Sequence, residues 1–116
     1  MINGMHAIIY SNNAEADKAF LKDILKLSNV DVGRGWLIFG LPPSEIAVHP
    51  AENNGGTQEL YLMCEDINLF IAEMKKQNIN CSEPSDQGWG ILSQISLPGG
   101  GSMGVYQPRH ARPESM

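Results

Sequence analysis

Polar and apolar residues alternate in two short stretches that follow one plan. At 59–64 the chain reads Glu-Leu-Tyr-Leu-Met-Cys. The two-residue period of a strand puts Glu59, Tyr61 and Met63 on one face and Leu60, Leu62 and Cys64 on the other. At 6–10, His6, Ile8 and Tyr10 share a face in the same way, with Met5, Ala7 and Ile9 opposite. Each stretch predicts a strand with one face for packing and one face free to line a cavity, opened by a polar residue able to hold a ligand.

Helical periods come next in both places. Asn12 and Glu15 form an N-x-x-E capping box, and Ala16, Ala19, Phe20, Ile24 and Leu27 recur every three or four residues, predicting an amphipathic helix over roughly 13–27. Asp66 is a good N-cap for a second helix, in which Ile67, Phe70, Ile71 and Met74 form the apolar stripe as far as about Gln77. Strand-prone runs then follow each helix: 29–32, 36–39 and 45–49 in the first half, and 79–82, 89–97 and 102–107 in the second. Turn residues fill 33–35, 41–44, 83–86 and 98–101. The Asn- and Gly-rich stretch 51–57 reads as a linker between halves, and 109–116 as a loosely held tail.

The order strand, helix, three strands therefore occurs twice. A constant offset of 53 places Glu59 on His6, Gly88 on Gly35 and Trp89 on Trp36, while Pro50 and Pro108 close the two units. A repeat of this size sets the topology. The expected class is α+β: two tandem βαβββ units, 4–50 and 58–108, forming a curved mixed sheet around a cleft within a single domain.

Length and charge narrow the function. A chain of 116 residues can bury enough surface to fold as one domain without disulfides or a structural metal. It has no apolar run of about 18 residues and no secretory pattern at its start, so a soluble cytoplasmic protein without membrane attachment is expected. Cys64 and Cys81 lack C-x-x-C spacing and lie in apolar contexts, so both are expected to be reduced and buried. The formal net charge of −5, with no basic cluster beyond Lys75 and Lys76, speaks against nucleic acid as a partner and mildly favours a cationic or neutral ligand. Hydrolytic triads, zinc-finger spacings and dinucleotide fingerprints are absent from the sequence.

With the doubled unit, Met5, His6, Ala7 and Ile8 opening the first half, and a Leu-Pro-Gly-Gly-Gly turn leading to a last strand ending Tyr106, Gln107, Pro108, the chain resembles the vicinal oxygen chelate superfamily of glyoxalase-like, bleomycin-resistance-like and extradiol-dioxygenase-like proteins. The resemblance covers residues 4–108 and implies a cleft that binds a small molecule, and a homodimer. It further implies up to four metal ligands, one from the first and one from the last strand of each unit. His6 and Glu59 stand at the two first-strand positions, whereas Ile46 and Gly104 stand where glutamates are usual and cannot ligate. His49 joins the tentative set only if a bulge shifts its register.

Each candidate has a plainer reading. His6 and Glu59 either face a ligand in a shared cleft, as metal ligands or as an acid–base pair, or sit at a strand rim bonded to a neighbour. Trp36 and Trp89 either anchor the core or a dimer interface, or wall a pocket for a planar ligand. Tyr61, Met63 and Tyr106 complete the candidate lining, with the Tyr106 hydroxyl directed into space left by the missing glutamate; His110 has no expected role. No catalytic residue is assigned, and a divalent ion is the one cofactor considered. The favoured function is a small-molecule-binding cleft protein with a degenerate metal site. The alternatives are a metal-dependent lyase or dioxygenase acting on vicinal oxygens, and a non-catalytic structural or regulatory dimer.

Overall fold

The computed structural model describes residues 6–9, 11–45, 47 and 59–111. Helix α1 (Ala14–Ala19) begins one residue later than the Asn12–Glu15 box suggests: Asn13 is the cap, its side-chain oxygen accepting the Ala16 N–H at 3.1 Å. The helix widens at once into a π-helical segment, Phe20–Ile24, closed by the Leu25 N–H to Phe20 carbonyl bond, and ends short of the expected residue 27. Two strands follow, β1 (Asn29–Asp31) and β2 (Leu37–Phe39), paired antiparallel with Val30 opposite Ile38.

The strands expected over 6–10 and 45–49 are not formed at their described residues. Residues 6–9, 45 and 47 are irregular, and 6–9 are exposed. Alternation in sequence proposes a strand, but only a neighbour's backbone makes one, and among the described residues no ladder pairs with these segments. Tyr10, Ile46 and His49, together with the linker 51–57, lie outside the described residues.

The second unit forms in the expected order. Strand β3 (Tyr61–Met63) leads into helix α2 (Ile67–Lys76), followed by β4 (Ser85–Asp86), β5 (Gly90–Ser96) and β6 (Ser102–Pro108). The sheet order is β3-β6-β5-β4, with β3 parallel to β6 and the other pairs antiparallel. The segment 79–82 contributes only a single bridge, Cys81 to Ile95, while Ser85 and Asp86, expected in a loop, form the edge strand β4. Asp66 caps α2 by accepting the N–H groups of Asn68 and Leu69. From β6, the Gln107 side chain accepts the Ile67 N–H at 3.0 Å, fixing the start of the helix to the sheet.

Alternation places the core. Ile95, Leu97, Met103 and Val105 face the helices and close around Ile67, with Leu60, Leu62, Cys64, Phe70 and Ile71 packed at the margin. Cys64 and Cys81 are free and half-buried, rather than fully buried, and burial raises both thiols above their ordinary value. Phe20 crosses from the first unit into this core and is 3% exposed. Beside it the buried Asp17 carboxylate accepts the Gly99 N–H at 2.7 Å, joining α1 to the β5–β6 turn. The result is an α+β fold in which helices cover one face of a mixed sheet. No helix among the described residues is long and apolar enough to cross a membrane.

Because Phe20 carries the first helix into the second unit's core, Phe20→Ala is expected to cost about 3–5 kcal/mol, read as a fall in denaturant midpoint. A loss below 1 kcal/mol would mean that α1 does not depend on this contact.

Candidate functional site

The sheet face turned away from the helices carries the candidate site. Register brings Tyr61 beside Gly104, Met63 beside Tyr106, and Tyr106 beside Leu92. Directly paired residues share a face, so Tyr61, Met63, Leu92 and Tyr106 all stand opposite Leu62 and Val105. Trp89, at the mouth of β5, completes a cluster of three rings in edge-to-face contact. Ring centroids are 5.0 Å apart for Trp89–Tyr106, 6.0 Å for Tyr61–Tyr106 and 6.1 Å for Tyr61–Trp89. Edge-to-face packing sets the positive rim of one ring against the negative face of another.

Two glycines make room for these rings. A Cβ on Gly104 would collide with Tyr61, whose ring lies over the bare backbone. A Cβ on Gly90 would stand 2.7 Å from the Gln107 carbonyl oxygen and 2.8 Å from Tyr106 Cδ2. Glycine inside a strand marks close approach of another group; here the group is the Tyr61 ring at Gly104, and the Gln107 carbonyl together with the Tyr106 ring at Gly90. The space expected to be open at Gly104 is therefore taken by Tyr61, and the Tyr106 hydroxyl points elsewhere.

The phenol tips end on acids. Tyr61 donates to Glu59 Oε2 at 2.7 Å, and this bond, with burial and the carboxylate's charge after it, raises the Tyr61 hydroxyl above its ordinary value of 10.0. The Tyr106 hydroxyl lies 3.5 Å from Glu45 Oε1 and 3.1 Å from His110 Nε2. His110 Nδ1 is 2.9 Å from the Ala111 carbonyl, which can only accept, so Nδ1 carries the proton. A neutral His110 then accepts from Tyr106. A protonated one donates to it and pairs with Glu45, 3.7 Å away, leaving the Tyr106 proton to turn toward Glu45.

Trp89 is held from both sides. Asp86 accepts the Gly88 N–H at 2.9 Å and pairs with Arg109, whose own N–H donates to the Trp89 carbonyl. The Gly88 bond first, and Arg109 second, keep the Asp86 carboxyl below its ordinary value of 3.8. Arg109 and His110 are thus tied into the site rather than lying in a loose tail.

Of the residues singled out from sequence, Glu59, Tyr61, Trp89 and Tyr106 come together, with Met63 next to Tyr106 on the same face. Trp36, the repeat mate of Trp89, instead lies 75% exposed beside the two-stranded ladder, and His6 is exposed. His49 is outside the described residues. Glu45, Arg109 and His110 carry no sequence signal at all, since they are local to nothing. The glycines within β5 and β6 were the available signal for the ring cluster, because a seven-residue strand has little use for a residue without a side chain except to admit a neighbour.

Among the described residues no three His, Cys, Asp or Glu side chains gather to hold an ion. Glu59 is engaged by Tyr61, and Gly104 offers no donor atom. This donor set does not fit the four-ligand metal site that the resemblance implies.

Comparisons with known proteins agree at the level of fold. No family model and no curated sequence matches the chain. Solved structures do. A lactoylglutathione lyase from Agrobacterium tumefaciens superposes with a TM-score of 0.66 at 16% identity, covering 90% of this chain and 92% of its own. An antibiotic binding protein from a Streptomyces species gives 0.63 at 19% identity, covering 90% and 99%. A glyoxalase/bleomycin resistance protein/dioxygenase from Nocardioides gives 0.59 at 15% identity, covering 91% and 83%.

Glu59→Gln replaces the carboxylate that accepts the Tyr61 hydroxyl bond and removes its charge, so in a spectroscopic titration Tyr61 should ionise closer to its ordinary 10.0 than it does in the parent. The sign for stability follows from the raised folded value. The contribution is complete below pH 10.0 and is lost as pH rises through the higher folded value, and the variant should lose less over that window. Unchanged titration in the variant would mean that Glu59 does not govern the hydroxyl. With helices on one face of a β3-β6-β5-β4 mixed sheet, this chain has the α+β fold of the lactoylglutathione lyase and of the glyoxalase/bleomycin resistance protein/dioxygenase to which it is similar.

Proposed function

We propose that this protein binds a small planar molecule on its aromatic face and does so without the metal-ligand set of the enzymes that share its fold. The observation that carries this reading is the ring cluster Tyr61–Trp89–Tyr106 seated over Gly104 and Gly90. Two neighbouring strands each give up one side chain, Gly90 in β5 and Gly104 in β6, and the vacated space serves to arrange rings. Trp89 remains 39% exposed, so part of the cluster is open to a partner from solution. The Streptomyces neighbour being an antibiotic binding protein supports sequestration as the activity. Tyr106, Tyr61, Trp89 and Met63 would supply the apolar walls, and Glu59 and Glu45 the polar contacts.

The test uses Trp36→Phe protein, in which Trp89 is the remaining tryptophan. Titration with a panel of planar antibiotics and aromatic metabolites should quench its fluorescence saturably and raise the melting temperature. Gly104→Val, which displaces Tyr61, should weaken the same ligand about tenfold, close to 1.4 kcal/mol. Protein purified without chelators and carrying a stoichiometric divalent ion, lost on Glu59→Ala, would overturn this reading in favour of a metal-dependent lyase or dioxygenase.

The protein also works as a homodimer in this proposal. Val30, Val32, Trp36 and Ile38 stand exposed on and beside the β1–β2 ladder, a run of apolar surface suited to a second copy. Sedimentation should give twice the chain mass, and Trp36→Asp should shift it to the monomer; a parent that sediments as a monomer at every concentration refutes this part.

A further inference from the structure

We propose that the ligand of the aromatic face is a cation, its charge held against the open part of the Trp89 indole and drawn by Glu59 and Glu45; this rests on the binding role proposed above. Aromatic faces carry the negative part of the ring quadrupole and attract cations, tryptophan most strongly. Trp89 and Tyr61 meet edge to face at an interplanar angle of 72°, and Trp89 is 39% exposed, so part of the indole is open to a cation from solution. In the cluster, Tyr61 donates its hydroxyl to the Glu59 carboxylate, while the Tyr106 hydroxyl lies between His110 and Glu45. A phenol that donates to a carboxylate gains electron density in its ring, which strengthens the attraction.

The charge inventory around the cluster points the same way. Asp86 and Arg109 offset each other in a direct pair. His110 stands against Tyr106 and within 3.7 Å of Glu45, with ring centroids of 5.8 Å to Tyr106, so when charged it offsets Glu45 alone. Glu59 has the neutral Tyr61 hydroxyl as its described partner. Among the described residues the balance at the cluster therefore leans negative through Glu59, with a chain of net charge −5 behind it, which favours a cation over an anion.

Three probes of one ring size separate charge from shape: N-methylacridinium, neutral anthracene and anthracene carboxylate, each titrated against Trp36→Phe protein with Trp89 fluorescence as the readout. The cation should bind about tenfold tighter than the other two, and added salt should weaken it alone. Glu59→Gln and Glu45→Gln should each reduce cation affinity about threefold or more and weaken anthracene by a smaller factor. Their melting temperatures, measured alongside, establish that the variants are folded. Equal binding of anthracene, or equal weakening of all probes by the variants, overturns the cation assignment and leaves the aromatic-face reading standing. If none of the three binds, both fall together.

Discussion

The pleat of β6 serves both faces of the molecule. This strand lies between β3 and β5, so its backbone is paired on both edges and its register admits no slip without moving every side chain to the wrong side. Met103 and Val105 go inward to the core, and Gly104 and Tyr106 go outward to the ring cluster. Packing under the helices and placement of the aromatic rings are consequently one constraint. Val105, 1% exposed, fixes by its burial which way Tyr106 must point.

The first unit is attached to this sheet through α1. Phe20 supplies apolar area to a core made otherwise by the second unit, and Asp17 gives the Gly99 N–H an acceptor at a buried turn. A Cβ on Gly99 would strike Ser11 and Asp17, so the turn approaches the helix backbone-first. The π-helical widening at Phe20–Ile24 sits at this junction, in keeping with such bulges re-aiming side chains where geometry demands it.

Acids stand at the phenol tips of the ring cluster. A divalent ion asks for several donors converging on one point. Here Glu59 accepts from Tyr61, Glu45 lies 3.5 Å from the Tyr106 hydroxyl, and Gly104 lies under the Tyr61 ring. His110 adds a proton-dependent partner for Tyr106 and Glu45, drawn from a segment that follows the last strand.

Local pattern was enough to read the second unit from sequence: the Asp66 cap, the stripe of α2, the alternation of β3, β5 and β6, and the split of Leu60, Leu62 and Cys64 from Tyr61 and Met63. Each of these is a short-range property, set by residues two to four apart. The repeat offset likewise placed the chain in its fold class. Tertiary structure alone decided the rest. Whether residues 6–9 become a strand depends on a neighbour that alternation cannot supply, and whether Trp36 and Trp89 are equivalent depends on what surrounds them: one has two tyrosines, the other open solvent. Glu45, Tyr106 and His110 meet across 65 residues of chain. No periodicity encodes such a meeting, because it joins segments far apart in the chain through tertiary contact alone.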